Sequence, residues 1–129
     1  MDSINSCITH CSGRAVLING FYEWEINGIL IKIPEEKYNL KTAAYAYKMS
    51  KLYDSKKAEI INFLLEKTDK FYKTKYTSDE IKEKLHKPHI EISDDNYGVL
   101  IWLNHELDEH IIKCEFINNM KLVHVSIKY

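Results

Sequence analysis

The chain has 129 residues, enough for one domain with a real buried core, and its 45% hydrophobic and 29% charged content excludes a disordered chain. The formal net charge is only −1, so no concentrated basic footprint of the kind that tight nucleic-acid binders carry is expected. No apolar run approaches the roughly 20 residues that a membrane helix needs, so no membrane partner is expected.

The N-terminal stretch, MDSINSCITHCSGR, lacks a basic start followed by an apolar run, so no secretory signal is expected and a cytoplasmic location is the default. The three cysteines (Cys7, Cys11 and Cys114) are too few and unevenly spaced for a disulfide scaffold, and reduced thiols are expected. Cys7, His10 and Cys11 could supply three zinc ligands, but a structural site draws on a second ligand pair, and His86 and His89 in HKPH are not a standard one. The first 13 residues therefore read as a frayed end, with no metal or cofactor assigned.

Ala15 to Ile33 reads as a three-stranded meander. Asn19-Gly20 and Asn27-Gly28 lie between runs of aromatic and β-branched residues, and type I′ turns need positive φ at both central positions. Two-residue turns pair Ile18 with Phe21 and Leu17 with Tyr22, then Ile26 with Ile29, Trp24 with Ile31 and Tyr22 with Ile33. The apolar members of the second hairpin share one face, and Glu23, Glu25 and Lys32 take the other.

Between residues 38 and 86 the period becomes helical. Leu40, Ala43, Ala44 and Tyr47 fall at helical spacing, and Ile61, Leu64, Leu65, Thr68 and Tyr72 form a second stripe. Asp54 offers a cap, which suggests two helices or one bent near Tyr53-Asp54. Thr77 and Glu80 form a capping box that opens a short helix through Ile81 and Leu85, closed by Pro88. From Pro34 to Lys87 there are thirteen lysines against nine acids, a surplus of +4, interleaved as on solvated helix faces.

Residues 89 to 129 read as β-hairpins. HIEIS and YGVLIWL flank the polar turn Asp94-Asp95-Asn96, and the apolar Tyr97 to Leu103 suits a strand covered on both faces. After the loop NHELDEH, the strands IIKCEFI and MKLVHVSIKY are joined by Asn118-Asn119. That turn sets Cys114 opposite Val123 and Ile112 opposite Val125, with Phe116 and Ile127 on the same face. Lys113, Glu115, His124 and Ser126 point the other way. Strands, then helices, then strands make a single α+β domain: an antiparallel sheet with two or three helices packed on one face.

The catalytic signals are weak. GFYEW, Gly20 to Trp24, resembles a motif of the SRAP family, which processes abasic DNA and also relies on a cysteine directly after the initiator Met. Asp2 stands at that position here, so that activity is not expected, and Glu23 reads as an outward strand residue. A zincin needs histidines at i and i+4 on a helix, whereas His105 and His110 are five apart between strands. A looser set of His105, Asp108, Glu109 and His110 would suit a metal-dependent hydrolase and is kept as an alternative. Tyr38, Tyr45, Tyr47, Tyr53, Tyr72 and Tyr76 among lysines define a second alternative, a nucleic-acid-binding regulator.

The C-terminal part has three lysines against seven acids, a balance of −4. Its hairpins, with FYEWEINGILIKI and the paired helices, resemble small immunity proteins of bacterial polymorphic and contact-dependent growth-inhibition toxin systems. The segment NYGVLIWLNHELDEHIIKCEFINNMKLVHVSIKY carries the pattern: an aromatic-apolar strand, an acidic turn, HII and a closing hairpin. The resemblance implies a non-enzymatic protein that binds and blocks a cognate toxin domain, without cofactor and without contacting nucleic acid itself. Many such toxins are nucleases with basic clefts, where acidic loops could stand in for phosphate. The expected contact surface is Asp94, Asp95, Glu106, Asp108 and Glu109, with Trp102 and His105 beside them.

Overall fold

A computed structural model of the chain describes residues 15–68 and 76–128. The cysteine-histidine stretch Cys7, His10 and Cys11, and Tyr72 of the second helical stripe, lie outside the described residues. The fold is α+β: one seven-stranded sheet and two α-helices. The strands are β1 (Val16–Ile18), β2 (Phe21–Ile26), β3 (Ile29–Pro34), β4 (His89–Asp94), β5 (Tyr97–Trp102), β6 (Ile111–Ile117) and β7 (Lys121–Lys128). The helices α1 (Leu40–Lys67) and α2 (Ser78–Leu85) lie between β3 and β4 in the chain. No described helix is long and apolar enough to cross a membrane.

Spatial order equals chain order, and every pairing is antiparallel except that of β3 with β4. There Ile31 meets Ile90 and Lys32 meets Glu91, so the helical crossover joins the N-terminal meander and the C-terminal hairpins into one sheet. The meander has the expected register at all five of its expected pairs. Asn19, Gly20, Asn27 and Gly28 have φ of 50°, 84°, 53° and 78°, the positive values that these turns require.

Where two helices, or one bent near Tyr53-Asp54, are expected, a single helix, α1, runs for 28 residues. No glycine or proline interrupts it, Asp54 lies on its exposed side, and Ser55 Oγ donates to the Leu52 carbonyl instead of opening a new helix. Its buried stripe also differs from the expected one: Ala43, Ala46, Met49 and Tyr53 are buried, whereas Leu40 and Ala44 are exposed. Farther along, Ile61, Leu64 and Leu65 are buried as the spacing predicts. The Thr77–Glu80 capping box of α2 is present.

The core fills the space between the helices and one face of the sheet, with Trp24, Ile31, Ile33, Ile90, Ile92, Leu100, Trp102, Cys114 and Phe116 in one cluster with Met49, Tyr53, Leu64 and Ile81. β5 is covered on one side only, correcting the expectation of two: Gly98, Leu100 and Trp102 are buried, while Tyr97, Val99 and Ile101 are half-buried. The β6–β7 register is corrected too. Cys114 pairs with Val125 and Ile112 with Ile127, because Met120, with φ of 61°, extends the turn and a bulge lies beside Phe116. Beyond the bulge the two departures add to two residues, so Val125 and Ile127 keep their expected face, whereas between turn and bulge the shift is one, which turns Leu122 to the core and leaves Val123, expected inward, exposed.

Candidate interaction surface

The sheet's far face is built from residues that alternate with the core positions. Across six strands one row runs Glu23, Lys32, Glu91, Val99, Glu115, His124. The next row is Glu25, Leu30, His89, Ile101, Lys113, Ser126. No described helix or strand covers these rows, whose side chains are mostly half-buried by one another. Seven strands at about 4.8 Å spacing make a rigid surface about 29 Å across.

Polar contacts shape this face locally. The Tyr97 hydroxyl donates to Glu115 Oε1 at 2.5 Å, and that bond, with burial and the charges of Glu115 and Glu91, pushes its pKa up to about 12. Lys32 Nζ sits 4.6 Å over the Phe21 ring, drawn along its strand towards the end of the sheet where the Asn19-Gly20 turn lies. His89 is held below its ordinary value chiefly by burial and then by Lys32, with Glu23 opposing.

The acids expected to form one surface divide between the two ends of the sheet, separated by the length of β5. Asp94 and Asp95 occupy the β4–β5 turn, exposed, with the Asp95 N–H donating to Asp94 Oδ1 at 2.8 Å. This turn is joined to the β6–β7 turn by the Asn118 N–H to the Asn96 carbonyl, 3.0 Å. Tyr45 of α1 anchors the same end by donating to the Asn118 carbonyl at 2.7 Å. Burial, and next the charge of Asp95, push the Tyr45 pKa up to about 12.

At the opposite end, residues 103–110 form a fastened loop. His105 is buried, its Nδ1 accepting from the Leu107 N–H at 3.1 Å and its Nε2 lying 2.5 Å from the His110 carbonyl. These contacts occupy both ring nitrogens. Glu106 pairs with His86, and its N–H donates to the Lys84 carbonyl. Asp108 receives the His110 N–H at 2.9 Å and lies 2.9 Å from that imidazole. Tyr76 ties Leu107 to the body by donating to its carbonyl at 2.9 Å. Trp102 is 1% exposed and donates to the His86 carbonyl.

Two of the expected contact residues are buried. Trp102 and His105 are interior anchors of this loop, buried because each satisfies its polar atoms on backbone carbonyls or amides. Glu106 and Glu109 are both exposed, and Glu106 and Asp108 are drawn into pairs with His86 and His110. Glu23, Glu91, Tyr97 and Glu115 are the surface residues that sequence reasoning passed over. Alternation marked Glu23 and Glu115 as outward, but only the parallel β3–β4 pairing sets Glu91 in one row with Glu23, across Lys32.

The residues of the two alternative readings are also placed. Among the described residues no three His, Cys, Asp or Glu side chains converge as metal ligands would. Of the helical tyrosines, Tyr45 and Tyr53 are in the core, Tyr38 stacks on Tyr22 at 4.0 Å, and Tyr47 lies under the Lys51 ammonium at 5.1 Å. Comparison of the chain with protein-family models, with curated proteins and with solved structures finds no match in any of the three.

Proposed function

We propose that this chain is a non-enzymatic immunity protein that binds a cognate bacterial toxin domain, in the first instance a basic nuclease, and neutralises it through an acidic surface. The observation that supports this reading is the sheet face that no described helix or strand covers, where carboxylates stand among half-buried aliphatic side chains on a rigid support. Surfaces of mixed apolar and charged character suit protein recognition, and clustered negative charge speeds the approach of a basic partner. The segments that carry the immunity-protein resemblance supply strands β2, β3, β5, β6 and β7 of this sheet.

The test is co-expression with the toxin domain encoded by the adjacent gene. A stable complex in gel filtration and restored growth are expected. Growth arrest that persists with no complex formed would overturn the reading.

A further inference from the structure

Resting on that reading, we propose that the docking surface is the sheet face that no described element covers, with Glu23, Glu91 and Glu115 as its anionic contacts, and that the partner meets it with a surface rich in arginine and lysine. The three glutamates lie in one cross-strand row, and Val99 separates Glu91 from Glu115. All three are half-buried, so their charge acts through a medium less polar than bulk water. Among the described residues no Lys, Arg or His nitrogen comes within 4.0 Å of any of these carboxylates.

Lys32 is the cation placed between Glu23 and Glu91 in the ladder, yet its ammonium is engaged on the Phe21 ring. The Tyr97 hydroxyl satisfies one oxygen of Glu115 but brings no positive charge. The row thus carries three carboxylates against the one ammonium of Lys32, a net negative strip on a flat support, flanked by the aliphatic groups of Leu30, Val99 and Ile101, with Lys113 beyond Ile101. Asp94 and Asp95 at its border extend the same field. The loop acids differ, because Glu106 and Asp108 already have imidazoles beside them. Guanidinium and ammonium groups brought onto the strip would supply the missing counter-charge, while their aliphatic stems would cover the intervening apolar surface.

The experiment is a titration of the isotopically labelled full chain with a nona-arginine peptide, followed by amide chemical shifts, with a glycine-serine peptide as control. The largest changes are expected at residues 91, 97 to 99 and 113 to 115, with affinity falling as salt is added. A Glu23→Gln, Glu91→Gln, Glu115→Gln variant is expected to bind about tenfold more weakly, and Glu106→Gln with Glu109→Gln within about twofold of the parent. Changes centred on residues 104 to 110, equal losses in the two variants, or no arginine-specific binding would each overturn the proposal. If the triple variant does not fold, the shift map of the parent chain decides alone. A chain that rescues growth but maps to the loop defeats only this inference, whereas one that maps to the face yet rescues no toxin defeats only the neutralisation reading.

Discussion

At Gly98 the Phe116 ring lies where a side chain would begin. A Cβ built there would meet Phe116 Cζ at 2.5 Å, Ile92 Cδ1 at 2.9 Å and the Glu91 carbonyl at 3.1 Å. Phe116 cannot retreat freely, because it is fully buried and packs against Tyr45 at 6.3 Å between ring centroids. Gly98→Ala is expected to lower stability by about 1–3 kcal/mol, read as a lower urea midpoint at unchanged slope. Cys114, the pair partner of Leu100, is equally interior: burial, and then Glu115, push its thiol up to about 12. That agrees with its expected place on the apolar face. Trp102 and His105 show the opposite case. An aromatic and a histidine beside three acids look like contact residues in the sequence, but whether their nitrogens find internal carbonyls is a tertiary fact that no local pattern carries.

Among the elements, α1 begins at a reciprocal cap. The Asn39 side chain accepts from the Thr42 N–H, and Thr42 Oγ1 accepts from the Asn39 N–H, both at 3.0 Å. Asn39→Ala is expected to cost about 1 kcal/mol, and Asn39→Asp is expected to restore most of it, as measured by thermal unfolding of the three proteins. This cap escaped the sequence reading because Thr, and not Glu or Gln, stands at the third position. The hairpins were far more legible. Asn-Gly turns permit essentially one geometry, and strict alternation fixes which side faces inward, so the register from Leu17 to Ile33 could be read directly. The β6–β7 turn misled because Asn118-Asn119 imitates a two-residue turn, while Met120 adopts positive φ and is fully buried. A methionine gives no warning that it will do either.

For the molecule as a whole, stability should respond to pH through His89. Its folded pKa lies below the ordinary 6.5, mainly because burial disfavours the cation and secondarily because Lys32 repels it. The unfolded chain therefore binds a proton as pH falls through 6.5 while the folded chain resists, so stability declines over that interval and levels off below the folded pKa. Denaturant midpoints between pH 7.5 and 5 are expected to fall less steeply for His89→Gln than for the parent. The open face that carries His89 was the least legible part of the chain. Composition disclosed an acidic C-terminal third, and alternation disclosed outward glutamates in the β2–β3 and β6–β7 hairpins. What joins Glu23 to Glu91 is a pairing between strands on either side of the helices, and its partner choice depends on how the crossover packs.

That single parallel seam has a kinetic consequence. β1 to β3 and β4 to β7 each assemble from hairpins whose partners are neighbours in the chain, whereas Ile31 and Ile90 meet only after both helices have been folded back across the sheet. Ring-closing of this sort costs entropy before any contact repays it, so the seam is the natural late event in refolding, with two half-sheets formed ahead of it. Because that cost grows only with the logarithm of the tether, the span between β3 and β4 is also where evolution could add residues most cheaply without disturbing either half.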